Sequence, residues 1–274
     1  MEPLIKMLDY APGIEIIPPC MIIGMPDVEY FAFEAVNFSG LKEFAPPWGT
    51  PGQYYANVIK KVCTNPDADD QTALDIGTAV HSYTLFDTWD DTAKCFQGTL
   101  VAARKNRAIV ENCSSALRAR PSVDHLLNGA FREVVLIVRD PETGLLLKCK
   151  IDILSGDYKL AVDIKTTADL AKFIKWSFND YGYALQEQHY LHCMNLAFSG
   201  TYGGMDVKEF QTAKPFENRS FLFMVVEKKR PWKVQPVNTK NERFNVAMVC
   251  YRNALNSLAE CYKNDTWYDD YISI

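Results

Sequence analysis

An α/β fold is what this chain predicts, and three observations predict it. Leu160, Val162 and Ile164 alternate with Ala161, Asp163 and Lys165, the period of two that marks a strand. Phe221 to Val226 (FLFMVV) is a short continuous apolar run, as in a strand buried on both faces. Around these lie longer segments that read as helices, Ala68 to Phe86, Ala184 to Phe198 and Glu242 to Lys263. The chain has 274 residues, 48% of them hydrophobic, which is enough for one large core.

Taken in order, residues 1–38 read as an irregular, proline-rich arm with at most one short strand, and residues 39–274 as a single domain. Ser39 is placed to cap a short helix, and Pro46, Pro47, Gly49, Pro51 and Gly52 form a loop. Tyr54 to Cys63 is a short helix. In the helix Ala68 to Phe86, Ala73, Leu74, Gly77, Val80 and Tyr83 or Thr84 mark the packed face. Thr92 to Leu127 is mainly helical, Phe131 to Arg139 is a strand, and Pro141-Glu142-Thr143-Gly144 is a turn. Leu145 to Leu154 and Leu160 to Lys165 form a hairpin about Ser155-Gly156-Asp157-Tyr158, completing a three-stranded meander. Asp169 to Ser177 is a short amphipathic helix and Gly200 to Pro215 a polar loop. Glu227 to Pro231 ends the FLFMVV strand, Val234 to Val237 pairs as another, and the tail from Trp267 is aromatic and acidic.

No apolar run spans a membrane, because Ile14 to Met25 is broken by Pro18 and Pro19. No signal peptide is evident, and the eight cysteines include no Cys-x2-Cys pair. A zinc site and a disulfide framework are therefore not signalled, and a cytoplasmic location is expected. A net charge of −5 argues mildly against nucleic-acid binding. It leaves room for a local groove, for which Lys60, Lys61, Arg104, Lys105, Arg107, Arg118, Arg120, Lys228, Lys229 and Arg230 are the candidates.

The chemistry concentrates in the hairpin. A turn centred on Gly156-Asp157 sets Asp152 opposite Ala161, with Asp163 its diagonal neighbour and Lys165 on the same face. Charges buried this way cost several kcal/mol each unless they are paired or bind a metal. Two carboxylates that hold Mg²⁺, with a lysine beside the attacking water, make a phosphodiesterase site; a surface hairpin with an ordinary ion pair is the plainer reading. Gly77 and His81 lie one helical turn apart, so His81 is either a core histidine or a ligand to the same metal. Glu133 is either a further acidic site residue or a solvated strand end. His189 and His192 lie three apart on a helix with no third ligand nearby in sequence, and read as structural.

Gly77-x3-His81, Asp152, Asp163-Ile164-Lys165-Thr166-Thr167 and Gln186-x3-Tyr190 follow one another in that order. The series resembles the RecB-type branch of the PD-(D/E)-x-K nucleases. From Phe131 to Tyr190 it is most similar to the RecE-type (exonuclease VIII) enzymes of phage and prophage. The Pro-Glu-Thr-Gly-Leu turn, Asp-Ile-Lys-Thr-Thr-Ala-Asp and the Tyr-Gly-Tyr run before Gln186 all match. One departure is Ile151, where the family motif has proline.

The resemblance implies a restriction-endonuclease-like core, a mixed central sheet flanked by helices, with the site at one sheet edge. It implies two Mg²⁺ or Mn²⁺ ions held by His81, Asp152, Asp163 and the Ile164 carbonyl. Lys165 would orient or deprotonate water, and Gln186 and Tyr190 would position Lys165 or the DNA backbone. Ser39, Lys42, Glu133 and Thr166 are weaker candidates for substrate contacts. The implied activity is 5′-to-3′ digestion of linear double-stranded DNA, leaving 3′ single strands for a RecT-like annealing partner. A ring-shaped homo-oligomer, trimer or tetramer, is implied as well. Two rivals stand beside it. An iron–sulfur branch of the superfamily needs a tight C-terminal cysteine trio, where this chain has only Cys250 and Cys261. The other is an inert DNA-binding module on the same fold.

Overall fold

The computed structural model describes residues 5–61, 68–89, 93–97, 99–198, 219–239 and 241–268. Its centre is a mixed seven-stranded sheet whose spatial order is the chain order. The strands are β1 (Lys6–Asp9), β2 (Cys20–Ile23), β3 (Phe131–Arg139), β4 (Leu146–Leu154), β5 (Leu160–Thr167), β6 (Ser220–Glu227) and β7 (Val234–Val237). β1 runs parallel to β2 and β5 parallel to β6; the other neighbours are antiparallel. Residues 5–38 are thus no irregular arm. They supply two strands and helix α1 (Asp27–Ala32), with Cys20, Met21 and Ile22 almost wholly buried.

Helices cover both faces. Helix α2 (Phe38–Phe44) and α3 (Pro51–Tyr54), which continues as a π turn through Ile59, pack on one side. Side chains of α9 (Tyr183–Phe198) and α10 (Asn241–Asn264) join the same cluster. Helices α4 (Ala68–Phe86), α5 (Leu100–Arg118) and α6 (Pro121–Leu127) close the other side over Ile153, Val162 and Ile164. The segment expected as one amphipathic helix after β5 is broken into α7 (Leu170–Lys172), a π turn (Phe173–Ser177) and α8 (Phe178–Asp180). Among the described residues no helix is long and apolar enough to cross a membrane. The expected helix end at Cys63, the helix start at Thr92, the loop Gly200–Pro215 and the last tail residues lie outside the described residues.

Several local expectations change. Asn37, not Ser39, caps α2: its Oδ1 accepts from Gly40 N at 2.7 Å. On α4, Ala73 is exposed and Leu74 is 59% exposed, while Ile76, Ala79, Val80 and Leu85 face the core. The packed face is therefore rotated from the stripe of small residues. Helix α9 is buried from Leu185 to Ala197 without a break, polar residues included. It has no solvent face to mark it, because strands lie on one side and α10 on the other.

Glu227 N donates to Lys233 O at 2.9 Å, and the β6–β7 ladder then alternates, so Val234 and Pro236 turn their backbone groups away from β6. An Arg120 guanidinium N–H donates to Val234 O, and the Gln235 side-chain amide donates to Pro236 O at 3.2 Å.

Candidate active site

The hairpin turn decides where the two carboxylates stand. Ile153 pairs with Val162 and Leu154 with Ala161, leaving residues 155–159 as the turn. Asp152 therefore comes level with Asp163, not with Ala161 as a turn centred on Gly156-Asp157 required. The turn is longer because Tyr158, not a glycine, takes the left-handed conformation (φ 59°). Its ring stacks between Phe131 and Phe198, at 5.5 and 4.8 Å between centroids. Gly156 serves a different need: a Cβ there would lie 2.6 Å from the Gly129 carbonyl oxygen.

Beyond Ile153 the β4–β5 ladder stops. The Ile164 N–H, with no strand carbonyl to meet, donates to Asp152 Oδ2 at 2.7 Å. A side chain thus fills the gap that two parting strands leave. The facing of β4 also slips here. Leu147, Cys149 and Ile151 join the cluster beneath α9, whereas Ile153 packs under α4 and α5. Level with Asp152 on β3, Glu133 has φ 48° and drops out of the register. A non-glycine residue held there is strained, a device found beside functional sites. The site lies between β4 and β5, inside the sheet, and not at a sheet edge.

Around this gap the predicted residues converge. His81 Nδ1, from α4, is 3.2 Å from Asp152 Oδ2. Lys165 Nζ is 2.7 Å from Asp163 Oδ2, and Gln186 Nε2, from α9, donates to Asp163 Oδ1 at 2.7 Å. Thr166 lies behind them, where a Cβ on Gly77 would meet its Oγ1 at 3.4 Å, an ordinary contact. Gly77 thus marks a close approach of α4 to β5, though a less tight one than expected. Asp163 is 4% exposed, but the side chains of His81 and Lys165 are 24% and 22% exposed. The carboxylates form the floor and the two bases form the mouth.

Others stand apart. Tyr190 OH donates to the Lys150 carbonyl at 2.9 Å, so it braces β4. Glu133 pairs with Lys150 Nζ at 3.0 Å, and Lys150 reaches Asp27 at 2.6 Å. Ser39 and Lys42, on α2, share no hydrogen bond or ion pair with the carboxylates. Sequence reasoning missed Lys150, which lies two residues before Asp152 on β4. Tyr183, noted only as part of the Tyr-Gly-Tyr run, has its ring centroid 5.3 Å from Lys165 Nζ. Among the groove candidates, Arg118 is spent on the carbonyls of Tyr83 and Thr84, and Arg120 on that of Val234. His189 and His192 are structural, as read: one bonds Lys148 O and Tyr251 OH, the other Asp140 and Arg252.

Electrostatics sort the groups. Burial would raise Asp152, but His81, Lys165 and the Ile164 N–H outweigh it and hold its pKa below the ordinary carboxylate value. Asp163 is raised: burial dominates, Lys165 opposes it, and the Asp152 charge adds to it. Burial works against charge on His81 and Lys165, yet the facing carboxylates lift both above their usual values. Lys165 is thus held as an ammonium against the carboxylate pair. An ammonium and a histidine biased toward its charged form stand over a carboxylate pair that resists double ionisation.

Among the described residues, no three His, Cys, Asp or Glu side chains stand together as a ready cage. The donor set nevertheless suits a hard divalent cation, with two carboxylates, a histidine and the Ile164 carbonyl. Asp163 Oδ2 is buried with no donor aligned on it, despite its contact with Lys165. A cation would also relieve the repulsion that raises Asp163.

A mixed sheet, helices on both faces and an Asp–Asp–Lys cluster where two strands part define the PD-(D/E)-x-K class of fold. Residues 37–270 match the family described as a PDDEXK-like domain of unknown function (DUF3799), and the chain belongs to that family. No curated protein matches. Among solved structures, a crystal structure described as a "Putative exonuclease" from Eubacterium rectale is similar, with a TM-score of 0.58 at 16% identity. The alignment covers 92% of this chain and 97% of that one.

Proposed function

We propose that the chain is a metal-dependent exodeoxyribonuclease that digests linear double-stranded DNA from its 5′ ends and leaves 3′ single strands. The observation that carries this is the convergence of Asp152, Asp163, His81, Lys165 and Gln186 on one gap between β4 and β5. The family and the "Putative exonuclease" neighbour support a nuclease. The direction of digestion, the RecT-like annealing partner and the ring rest on the RecE-type resemblance.

Asp152, Asp163, His81 and the Ile164 carbonyl would hold Mg²⁺ or Mn²⁺. When bound, the metal supplies Lewis-acid stabilisation of charge on the phosphate and lowers the pKa of water. The chain's own residues do the rest. Gln186 fixes the rotamer of Asp163 through one oxygen, and the Ile164 N–H fixes that of Asp152. Lys165, at the mouth, is placed to hold a phosphate oxygen or to orient water once Asp163 turns to another cation.

End-labelled linear duplex and closed circular duplex, incubated with Mg²⁺, test the reading. Linear DNA should be degraded and circles should persist. Asp152→Asn and Asp163→Asn, close to isosteric, should each abolish degradation while the circular dichroism spectrum stays native. Circles cut as fast as linear DNA would make the enzyme an endonuclease. Full activity of either variant would remove the site.

A further inference from the structure

Past the carboxylates, β5 and β6 run out side by side, and Lys228 N donates to Thr167 O at 2.7 Å where the ladder ends. β5 continues into α7 and the π turn, and β6 into the loop 228–233. Between these segments lies an open groove of about 470 Å³, whose lining includes Leu170, Ile174, Lys229, Arg230, Pro231 and Lys233.

The groove's charges are sorted by depth. Its acids are satisfied inward: Asp169 accepts from Lys172 N at 3.0 Å, and Glu227 Oε1 accepts from Leu170 N at 3.2 Å. Lys229 Nζ lies across both carboxylates, at 3.5 and 3.4 Å. Lys172, Lys175, Arg230 and Lys233 are exposed and are in no ion pair among the described residues. This runs against the net charge of −5 of the whole chain. Beside the groove, α7 and the π turn carry exposed apolar side chains together with Lys172 and Lys175, and of these Ile174 is in the lining. Ile174 is 46% and Trp176 57% exposed, and Lys175 Nζ lies 4.8 Å from the Trp176 ring centroid.

We infer that this surface binds single-stranded nucleic acid, with phosphates on Arg230, Lys233 and Lys172 and bases against Trp176 and Ile174. Unpaired cations track a phosphate backbone, and an exposed indole stacks on a base only when the base is out of a duplex. The groove's lining begins at Asp169, four residues beyond Lys165, so a strand lying in it can run on toward the carboxylates. The inference rests on the proposed nuclease reading only for the source of that strand.

Binding is measured without metal, in EDTA, by fluorescence polarisation of a labelled 20-mer oligothymidylate and of a duplex of equal length. Arg230→Glu combined with Lys233→Glu should weaken single-strand binding at least 10-fold and make its log–log salt slope shallower by about 1.4, two phosphates' worth. Trp176→Ala, which changes no charge, should weaken it about 5- to 100-fold, the worth of one stacked base. Duplex binding by Trp176→Ala should stay within twofold of wild type. Unchanged single-strand binding by these folded variants, or an equal loss for duplex with Trp176→Ala, overturns the inference. A wild type that binds the oligonucleotide but degrades no DNA in Mg²⁺ sinks the nuclease reading and leaves the groove standing. One that degrades duplex while the variants bind single strands normally sinks the groove alone.

Discussion

Lys165 is where structure and mechanism part most cleanly. Its ammonium offsets the Asp163 carboxylate at 2.7 Å. Lys165→Met keeps the stem over Tyr183 and Phe223 but removes charge and proton. DNA binding should survive, and turnover should fall by about 10²–10⁴-fold, the usual worth of acid–base catalysis. Lys165→Arg should fall as far, because a guanidinium does not give up its proton. Single-turnover hydrolysis measures both, and near-normal activity of the arginine variant would reduce Lys165 to a fixed positive charge. At this scale Asp152, Asp163 and Lys165 were legible from the alternation and turn of the hairpin, whereas His81 as a ligand and Gln186 rested on the family resemblance. The register was not legible, because the turn is set by Tyr158 stacking between Phe131 and Phe198, partners far away in sequence. Tyr190 has the expected spacing but a bracing task, which only the position of the Lys150 carbonyl reveals.

Among the elements, α9 carries the most unusual burden. Its buried Glu187 accepts from the backbone N–H and hydroxyl of Thr239, and burial, outweighing those bonds, lifts its pKa to about 7. The folded state therefore binds this proton more tightly than the unfolded chain, whose glutamate sits near 4.5. Stability from this group is full below pH 4.5 and is lost as pH rises through about 7. Glu187→Gln removes that dependence. Its unfolding free energy should match wild type near pH 4.5 and exceed it by about 2–3 kcal/mol at pH 8. Urea titrations at the two pH values measure this, and a difference that does not change with pH would refute it. The extent of α9 was readable from its apolar content. Its polar network was not, because Gln186, His189 and Tyr190 meet their partners on the sheet, far away in sequence.

For the molecule as a whole, the sheet reaches into the segment that reads as an arm. β2 pairs with β3 through Cys20–Ile137 and Ile22–Val135, across more than a hundred residues of chain. Four-residue strands between prolines carry too little pattern to be found alone, and the partner that makes them strands is remote. Ile22 is fully buried in the cluster under α1. Ile22→Ala should therefore cost about 2–5 kcal/mol, as in any packed core. Its denaturation midpoint should drop with the slope unchanged, whereas a loss below about 1 kcal/mol would show β2 to be peripheral.

The fate of Val234 and Pro236 has a consequence for self-assembly. A sheet margin recruits other chains through its outward N–H and C=O groups. On β7, the Val234 and Pro236 oxygens are already taken by Arg120 and Gln235, and Pro236 has no N–H to offer. β7 is thus a poor template for another strand, which leaves β1 as the more open margin among the described strands. Pairing of β1 with β1 is self-complementary and closes at a dimer, whereas a ring of three or more copies needs two different complementary patches. A ring of this protein, if it forms, would then be built through helices and loops, with its sheets kept apart.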